Sequence, residues 1–263
     1  MKRKYFIAGG ITVTIFLVTI LLWITWPSTI FASSLFSEKY GVDTSKDIIF
    51  DFKQADVSIR QWGKDYVEVT YDNVFGGKKV IDISNIDNTL ILNSNLDFSG
   101  AKHITINVPK AVISIYGKSI EAKSVTFRSI KADKASLRYC SMADGFTSEG
   151  NTLIIREGSF DEKATLKNEI IELRECIGND ITIFSDGSSN KINATLRELE
   201  GKSVKINGEG CKSIATQFKD CKLDELIIDY PKGNGRIDVY SGDIKRIENN
   251  SNININKKSN ILR

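Results

Sequence analysis

The only histidine, His103, is the sole imidazole that this 263-residue chain offers for general-base chemistry. A Ser-His-Asp or Cys-His arrangement requires such a base beside its nucleophile. His103 begins the segment HITINV (103–108), where strand alternation places it on the side opposite Ile104 and Ile106. We therefore expect a solvated strand residue. A zinc site is not expected either, because one His and four scattered Cys lack paired ligand spacing.

Acidic and basic side chains cluster in NDITIFSDGSSNKINATLRE (179–198). The candidates for acid–base chemistry are Asp180, Asp186, Arg197 and Glu198. Enzymes that cleave polysaccharides on a β-helix use such groups on the outside of the coil. Similar residues alternate with apolar positions throughout this chain, however, and no long loops wall a cleft. We predict that the protein is not an enzyme and keep a polysaccharide-degrading enzyme as the lesser alternative. No cofactor is predicted, because NGEG (207–210) and FGGKK (75–79) are typical of turns.

Four cysteines, an even number, would permit disulfides in an exported protein. They are Cys140, Cys176, Cys211 and Cys221. The nearly equal intervals between the first three indicate equivalent positions several repeat units apart, too distant to bond. Cys211 and Cys221 are one unit apart and form the candidate disulfide. We expect all four to be small buried core residues, with the Cys211–Cys221 disulfide and reactive thiols as the alternatives.

Charge is nearly balanced, with 36 Lys and Arg against 33 Asp and Glu. Lys2, Arg3 and Lys4 account for the excess, so the rest of the chain is neutral. Nucleic-acid binders normally carry a clustered basic surface. We therefore predict no nucleic-acid partner.

The N-terminal segment YFIAGGITVTIFLVTILLWITW (5–26) contains no charged residue. About 20 apolar residues suffice to span a bilayer, and basic residues before the segment favour a cytoplasmic N-terminus. A cleaved signal peptide is the alternative, although its apolar core is typically about 7–15 residues. We predict a single-pass cell-membrane protein with an extracytoplasmic body. The predicted regions are a cytoplasmic stub (1–4), the transmembrane anchor (5–26), a linker (27–46), the ectodomain (47–256) and a basic, polar tail (257–263).

Beyond residue 46, short alternating segments rich in Val, Ile, Phe and Tyr indicate an all-β protein. The segment ATLKNEIIELREC (164–176) could locally form a helix, but its apolar residues also fit a strand. An Asn-x-Ile unit recurs every 11 residues at Asn168, Asn179 and Asn190. Such short units bury an apolar face only by stacking, which predicts a β-solenoid. Two units per coil would give roughly ten coils and a rod about 45–50 Å long. A β-sandwich or meander is the alternative.

The segments IIFDFKQADVSIRQWGKDYVEVTY (48–71), LILNS (90–94) and HITINVPKAVISIYG (103–117) resemble a bacterial putative-adhesin family of domains of unknown function. Over residues 47–256 the resemblance implies a membrane-anchored, single-stranded β-solenoid of the cell envelope, linked in some relatives to envelope stress. It implies no catalytic residues.

These observations predict a non-catalytic binding or scaffold protein, or an envelope-stress accessory protein, with a surface adhesin as the alternative. Its partner would be another envelope protein or a wall or surface polymer. A Pro-Lys phrase occurs in ITINVPKAVISIYG (104–117) and again in LIIDYPKGNGRIDVYSG (226–242). We interpret the two phrases as one corner used twice, and we expect the exposed strand faces between them to bind the partner.

Overall fold

The computed structural model describes residues 34–42, 47–73, 81–86, 89–94, 103–185, 191–230 and 234–258. These residues form strands and turns, with no helix among them. The strands are β1 Ser34–Gly41, β2 Asp47–Gln61, β3 Tyr66–Asn73, β4 Ile81–Ile86, β5 Thr89–Ser94, β6 His103–Val108, β7 Val112–Lys123, β8 Thr126–Arg138, β9 Ser141–Arg156, β10 Ser159–Arg174, β11 Ile177–Phe184, β12 Lys191–Arg197, β13 Glu200–Asn207, β14 Ser213–Asp229, β15 Asn234–Asn249 and β16 Ile255–Lys258.

The chain winds into coils, and each coil adds one segment to each of two stacks of parallel strands. Face 1 is the stack that contains residues 159–166 and 222–229. Face 2 is the stack that contains residues 170–174 and 213–219. Hydrogen-bonded neighbours within each stack lie about 4.8 Å apart. The all-β fold is therefore a β-solenoid, as the sequence predicted.

The layers do not follow chain order at the N-terminal end, because β2 lies between β6 and β7. Counted over the described residues, the ten layers are β5 with β6, β2, β7, β8, β9, β10, β11 with β12, β13 with the first part of β14, the rest of β14 with the first part of β15, and the rest of β15 with β16. The parallel stack thus begins with its second layer, β2, after which the chain builds the first layer and then returns to the other side of β2.

Antiparallel strands cover the N-terminal end of the solenoid. β3 pairs with β6, β1 pairs with β3, and β4 pairs with β5, all antiparallel. The rings of Phe36 and Tyr71 stack there with centroids 5.7 Å apart. A terminal strand with unpaired backbone groups invites association with other chains. These strands occupy that exposed edge.

The core between the two faces consists of inward side chains stacked layer on layer. On face 2, one fully buried column runs through Ile155, Leu173, Leu196 and Phe218. Alternation along each strand places every second residue inward, and no single coil could bury its apolar side alone. Stacking therefore supplies most of the stability.

The 11-residue unit describes only some of the coils. Ile177 pairs with Glu200, so that coil contains two units of about that length, whereas Ser141 pairs with Ser159 in a shorter coil. Asn168 is buried and bonded to Ser148, whereas Asn179 is half-buried. The recurring Asn-x-Ile units are therefore not structurally equivalent.

The two Pro-Lys phrases lie at different corners, so the interpretation of one corner used twice is wrong. Pro109 and Lys110 follow β6 on face 2 and lead to β7 on face 1, stepping past β2. The second phrase follows residues 222–229 on face 1 and precedes β15 on face 2. Its own Pro231 and Lys232 lie outside the described residues.

Part of the region predicted to be a linker (27–46) forms strand β1, which packs against the antiparallel cap. The predicted stub and anchor (1–26) lie outside the described residues, as does the end of the predicted tail. Within the described ranges, no helix is long and apolar enough to span a bilayer.

Candidate functional site: a basic ladder on face 2

A single outward position at the end of each face 2 segment is basic in most layers. Paired in register from layer to layer, the residues at this position are Asn107, Arg60, Lys123, Arg138, Arg156, Arg174, Arg197, Lys219, Tyr240 and Lys258. We call the basic members of this column the basic ladder. The strands that carry consecutive members are about 4.8 Å apart along the stacking axis.

The coil geometry fixes this position. In the β8 layer, Leu137 points inward, Arg138 outward, and Tyr139 turns the chain with a φ of 55°. The same left-handed corner recurs, and the residues with positive φ there are Ser124, Tyr139, Glu157, Glu175, Glu198, Asp220 and Ser241. Each corner amide can then donate to the next ladder residue, as Tyr139 N does to Arg156 O at 3.1 Å. The ladder is thus held in register by the backbone.

Carboxylates at the corners partly neutralise the positive charge of the basic ladder. Arg138 binds Glu157 of the next corner at 2.9 Å, while Arg174 and Glu175 pair within one corner at 2.9 Å. Burial alone would raise the pKa of Glu157, but hydrogen bonds from Arg138 and Tyr139 bring it below its usual value. Glu157 therefore stays ionised at neutral pH. The Arg138 side chain nevertheless remains 58% exposed.

A second column of outward side chains runs beside the ladder, two residues earlier in each strand. We call it the polar row: Thr105, Ser58, Glu121, Ser136, Ile154, Glu172, Thr195, Gln217, Asp238 and Asn256. All but Ile154 can form side-chain hydrogen bonds. Asp238 is buried, and burial would raise its pKa, but hydrogen bonds from Arg236 and Asn256 hold that pKa below its usual value.

Shallow grooves lie along these two columns. One of about 530 Å³ is lined by Ser58, Arg60, Lys123, Ser136 and Arg138, among others. A second of about 370 Å³ is lined by Thr195, Arg197, Gln217, Lys219 and Tyr240. A third, of about 280 Å³, adjoins it at Gln217 and Tyr240. Face 2 therefore offers a recessed surface near both ends of the ladder.

The corresponding column on face 1 has mixed charge. Lys131 lies between Tyr116 and Glu149 in register, and Lys131 Nζ binds Glu149 Oε1 at 3.0 Å. Opposite charges across strands stabilise a sheet, whereas like charges directly opposite destabilise it. The ladder stacks like charges, so it lowers stability relative to the face 1 arrangement. This difference marks face 2 as the candidate binding surface.

Among the residues that the structure describes, the catalytic candidates from the sequence do not converge on one site. His103 is exposed on the outer side of β6, with Ile104 and Ile106 fully buried, as predicted. Asp180 accepts a hydrogen bond from Ser203 on face 1, at 2.8 Å. Arg197 and Glu198 form an ion pair at the opposite end of the coil, on the ladder. Asp186 lies outside the described residues.

Among the described residues, no group of three or more His, Cys, Asp or Glu could hold a metal ion.

All four cysteines are buried and free. Cys140, Cys176 and Cys221 each follow a left-handed corner residue, so these three are the equivalent ones, rather than the first three. They are two layers apart, about 9–10 Å, beyond disulfide reach. Cys211 lies at the other corner, and the extended stretch Ser213–Lys219 separates it from Cys221.

We expect all four thiols to titrate after denaturation and to react slowly in the native protein. Burial raises the pKa of each thiol, and the thiolate is the reactive form. Titration of the full chain with a chromogenic disulfide reagent, with and without denaturant, measures both quantities. Cys221→Ser should lower the denatured count by one. A count two short in the unreduced protein would instead indicate a bridge.

Three solved structures are similar to this chain. A putative adhesin from Bacteroides fragilis shares 16% identity over 86% of this chain and 97% of that one, with a TM-score of 0.37. A putative cell adhesion protein from Clostridium sporogenes shares 13% over 86% and 100%, with a TM-score of 0.24. A putative adhesin from Parabacteroides merdae shares 16% over 86% and 97%, with a TM-score of 0.30.

All three are named as adhesion proteins. No protein-family model matches the chain, and no curated protein matches it.

The ladder was not recognised in the sequence, although a signal for it exists. An apolar residue, a basic residue and a corner residue recur in LRY (137–139), IRE (155–157), LRE (173–175), LRE (196–198) and FKD (218–220). The intervals vary with coil length, so a search at a fixed period does not detect them.

Proposed function

We propose that this protein is an N-terminally anchored, extracytoplasmic binding protein that acts by contact through the outer side of face 2. The observation that carries the proposal is the column of like charges, which a purely structural sheet has no reason to stack. The uncharged segment 5–26 supports membrane attachment. A scaffold or envelope-stress accessory protein fits these features, and a surface adhesin is the alternative.

A non-catalytic mode of action is part of the proposal. Asp180 lies on face 1, whereas Arg197 and Glu198 pair with each other at the end of face 2, so these acidic and basic candidates do not converge on one groove. A carbohydrate-cleaving site would need two carboxyl groups facing each other within about 10 Å across a bound sugar. Release of reducing ends from envelope glycans by the purified full chain would contradict this mode.

Protease treatment of intact cells tests the location. We expect the full chain to lose its body to added protease, leaving a short membrane-embedded fragment, because the basic N-terminus should remain inside. Protection of the body in intact cells, with digestion only after lysis, would refute the extracytoplasmic assignment.

Crosslinking on intact cells, followed by capture of the full chain, tests the contact surface. We expect capture of an envelope component to depend on Arg174, Arg197 and Lys219. Replacing all three by Gln should reduce capture, whereas K131Q/K167Q/K205Q on face 1 removes the same charge and should not. An adhesin would instead change cell attachment to foreign surfaces when the gene is deleted.

A further inference from the structure

We propose that face 2 binds a linear acidic polysaccharide running along the stacking axis, with acidic groups on the basic ladder and hydroxyl groups on the polar row. This inference rests on the proposed function and specifies the ligand class for the same surface. It follows from the order of charges and hydrogen-bonding groups along the two columns.

The ladder provides a repeating anion site. Its rungs lie on strands about 4.8 Å apart along the stacking axis, which suits a polymer with repeated charges better than a single anion. Most of its members are arginines, whose planar guanidinium groups bind carboxylate or phosphate through two parallel hydrogen bonds. The ion pairs of Arg174 and Arg197 with their corner carboxylates use Nε. A ligand can therefore approach the terminal nitrogens of both side chains.

The polar row restricts the kind of polyanion. Glu121 and Glu172 place accessible carboxylates beside the ladder, where they accept hydrogen bonds from hydroxyls but repel additional anions. A polymer with charge on every side would meet this repulsion along its length. A polysaccharide with an acidic group on one edge and hydroxyl groups on the other matches both columns. This arrangement disfavours nucleic acid and simple polyphosphate.

The groove near the C-terminal end supports the same assignment. Tyr240 interrupts the ladder there, and the groove is lined by its side chain together with Thr195, Arg197, Gln217 and Lys219. Lys258 Nζ lies 4.7 Å from the centre of the Tyr240 ring. An aromatic ring among hydroxyl, amide and basic side chains is typical of pockets that orient a polar ligand with an apolar face. A sugar ring has both kinds of surface.

Binding should be multivalent and sensitive to salt. Each exposed ion pair contributes little alone, but successive groups on one polymer bind at high effective concentration. The full chain in nonionic detergent should therefore bind polygalacturonate saturably, and its affinity should fall as salt rises. Galacturonate monomer, neutral dextran and polyglutamate should each bind at least about tenfold more weakly. The monomer lacks repetition, dextran lacks charge, and polyglutamate lacks hydroxyl groups.

The variant R174Q/R197Q/K219Q should weaken binding to polygalacturonate by about tenfold, since three weak contacts are lost. It should unfold at the same temperature as the parent or a higher one, because it relieves like-charge stacking. The matched control K131Q/K167Q/K205Q removes the same net charge from face 1. It should change affinity by less than about twofold, since it leaves the ladder intact.

Several results would overturn the inference. These are absent binding to polygalacturonate, equal binding to polyglutamate or duplex DNA, or equal weakening by both triple variants. If envelope capture depends on the ladder while polygalacturonate fails to bind, only the polysaccharide assignment is wrong. If capture is insensitive to the ladder variant, the contact surface under the proposed function is wrong as well.

Discussion

Replacement of Gly150 by Ala should destabilise the solenoid by at least about 3 kcal/mol, one of the largest losses expected from a single methyl group. Gly150 has a φ of 142°, which L side chains rarely adopt. An added Cβ would lie 1.7 Å from the carbonyl oxygen of Ala132 in the neighbouring layer. Because this atom belongs to the backbone of a paired strand, it cannot move without separating β8 from β9.

Two other glycines distinguish the effect of backbone strain from that of a steric clash with an added Cβ. Gly145 has a φ of 72° but nothing within 4 Å of an added Cβ, so Gly145→Ala should cost about 1 kcal/mol. Gly63 is open and carries no such strain, so Gly63→Ala should change stability by less than about 0.5 kcal/mol. Denaturant unfolding of the full chain, followed by circular dichroism, gives all three free energies. If Gly150→Ala costs no more than Gly145→Ala, the close contact at this corner is absent.

Stability and the proposed binding role make opposite demands on face 2. The core columns and the face 1 ion pairs follow the rules of sheet stabilisation, whereas the basic ladder violates them by stacking like charges. The corner carboxylates of Glu157, Glu175 and Glu198 reduce this repulsion without removing the exposed cations. Departures from local rules are expected at functional sites. The ladder therefore carries more functional information than the individual catalytic candidates.

The sequence predicted the fold class because alternation and short repeats are local signals. The position of His103 followed from the same alternation. The placement of β2 between β6 and β7 could not be predicted, since pairing between segments far apart in sequence leaves no local trace. The register of the strands could not be predicted either, because the coils differ in length and equivalent residues are therefore unequally spaced in the sequence. This is why Cys211, rather than Cys221, looked equivalent to Cys140 and Cys176.

Truncation of Phe218 to Ala should lower the free energy of unfolding by about 3–5 kcal/mol, the usual range for a fully buried aromatic. Phe218 is completely buried on face 2, between Leu196 and Val239 of the adjoining layers. The chain on either side is held in register by strand pairing, so the space left by the ring cannot collapse. The loss should therefore fall at the upper end of the range for a large-to-small change.

The effect should also be local, because each layer of a solenoid contacts only its neighbours. Hydrogen exchange should accelerate most in β12, β14 and β15, which hold Phe218 and its two neighbours in the stack, while β8 and β9 keep their protection. Phe184 offers a matched control: its ring lies on the outer side of β11, half-buried, 5.6 Å from Lys167 Nζ. Phe184→Ala should cost about 0.5–1 kcal/mol. Equal losses of unfolding free energy from the two substitutions would contradict the difference in burial between the two rings. Exchange that accelerates uniformly would show that the layers unfold as one body.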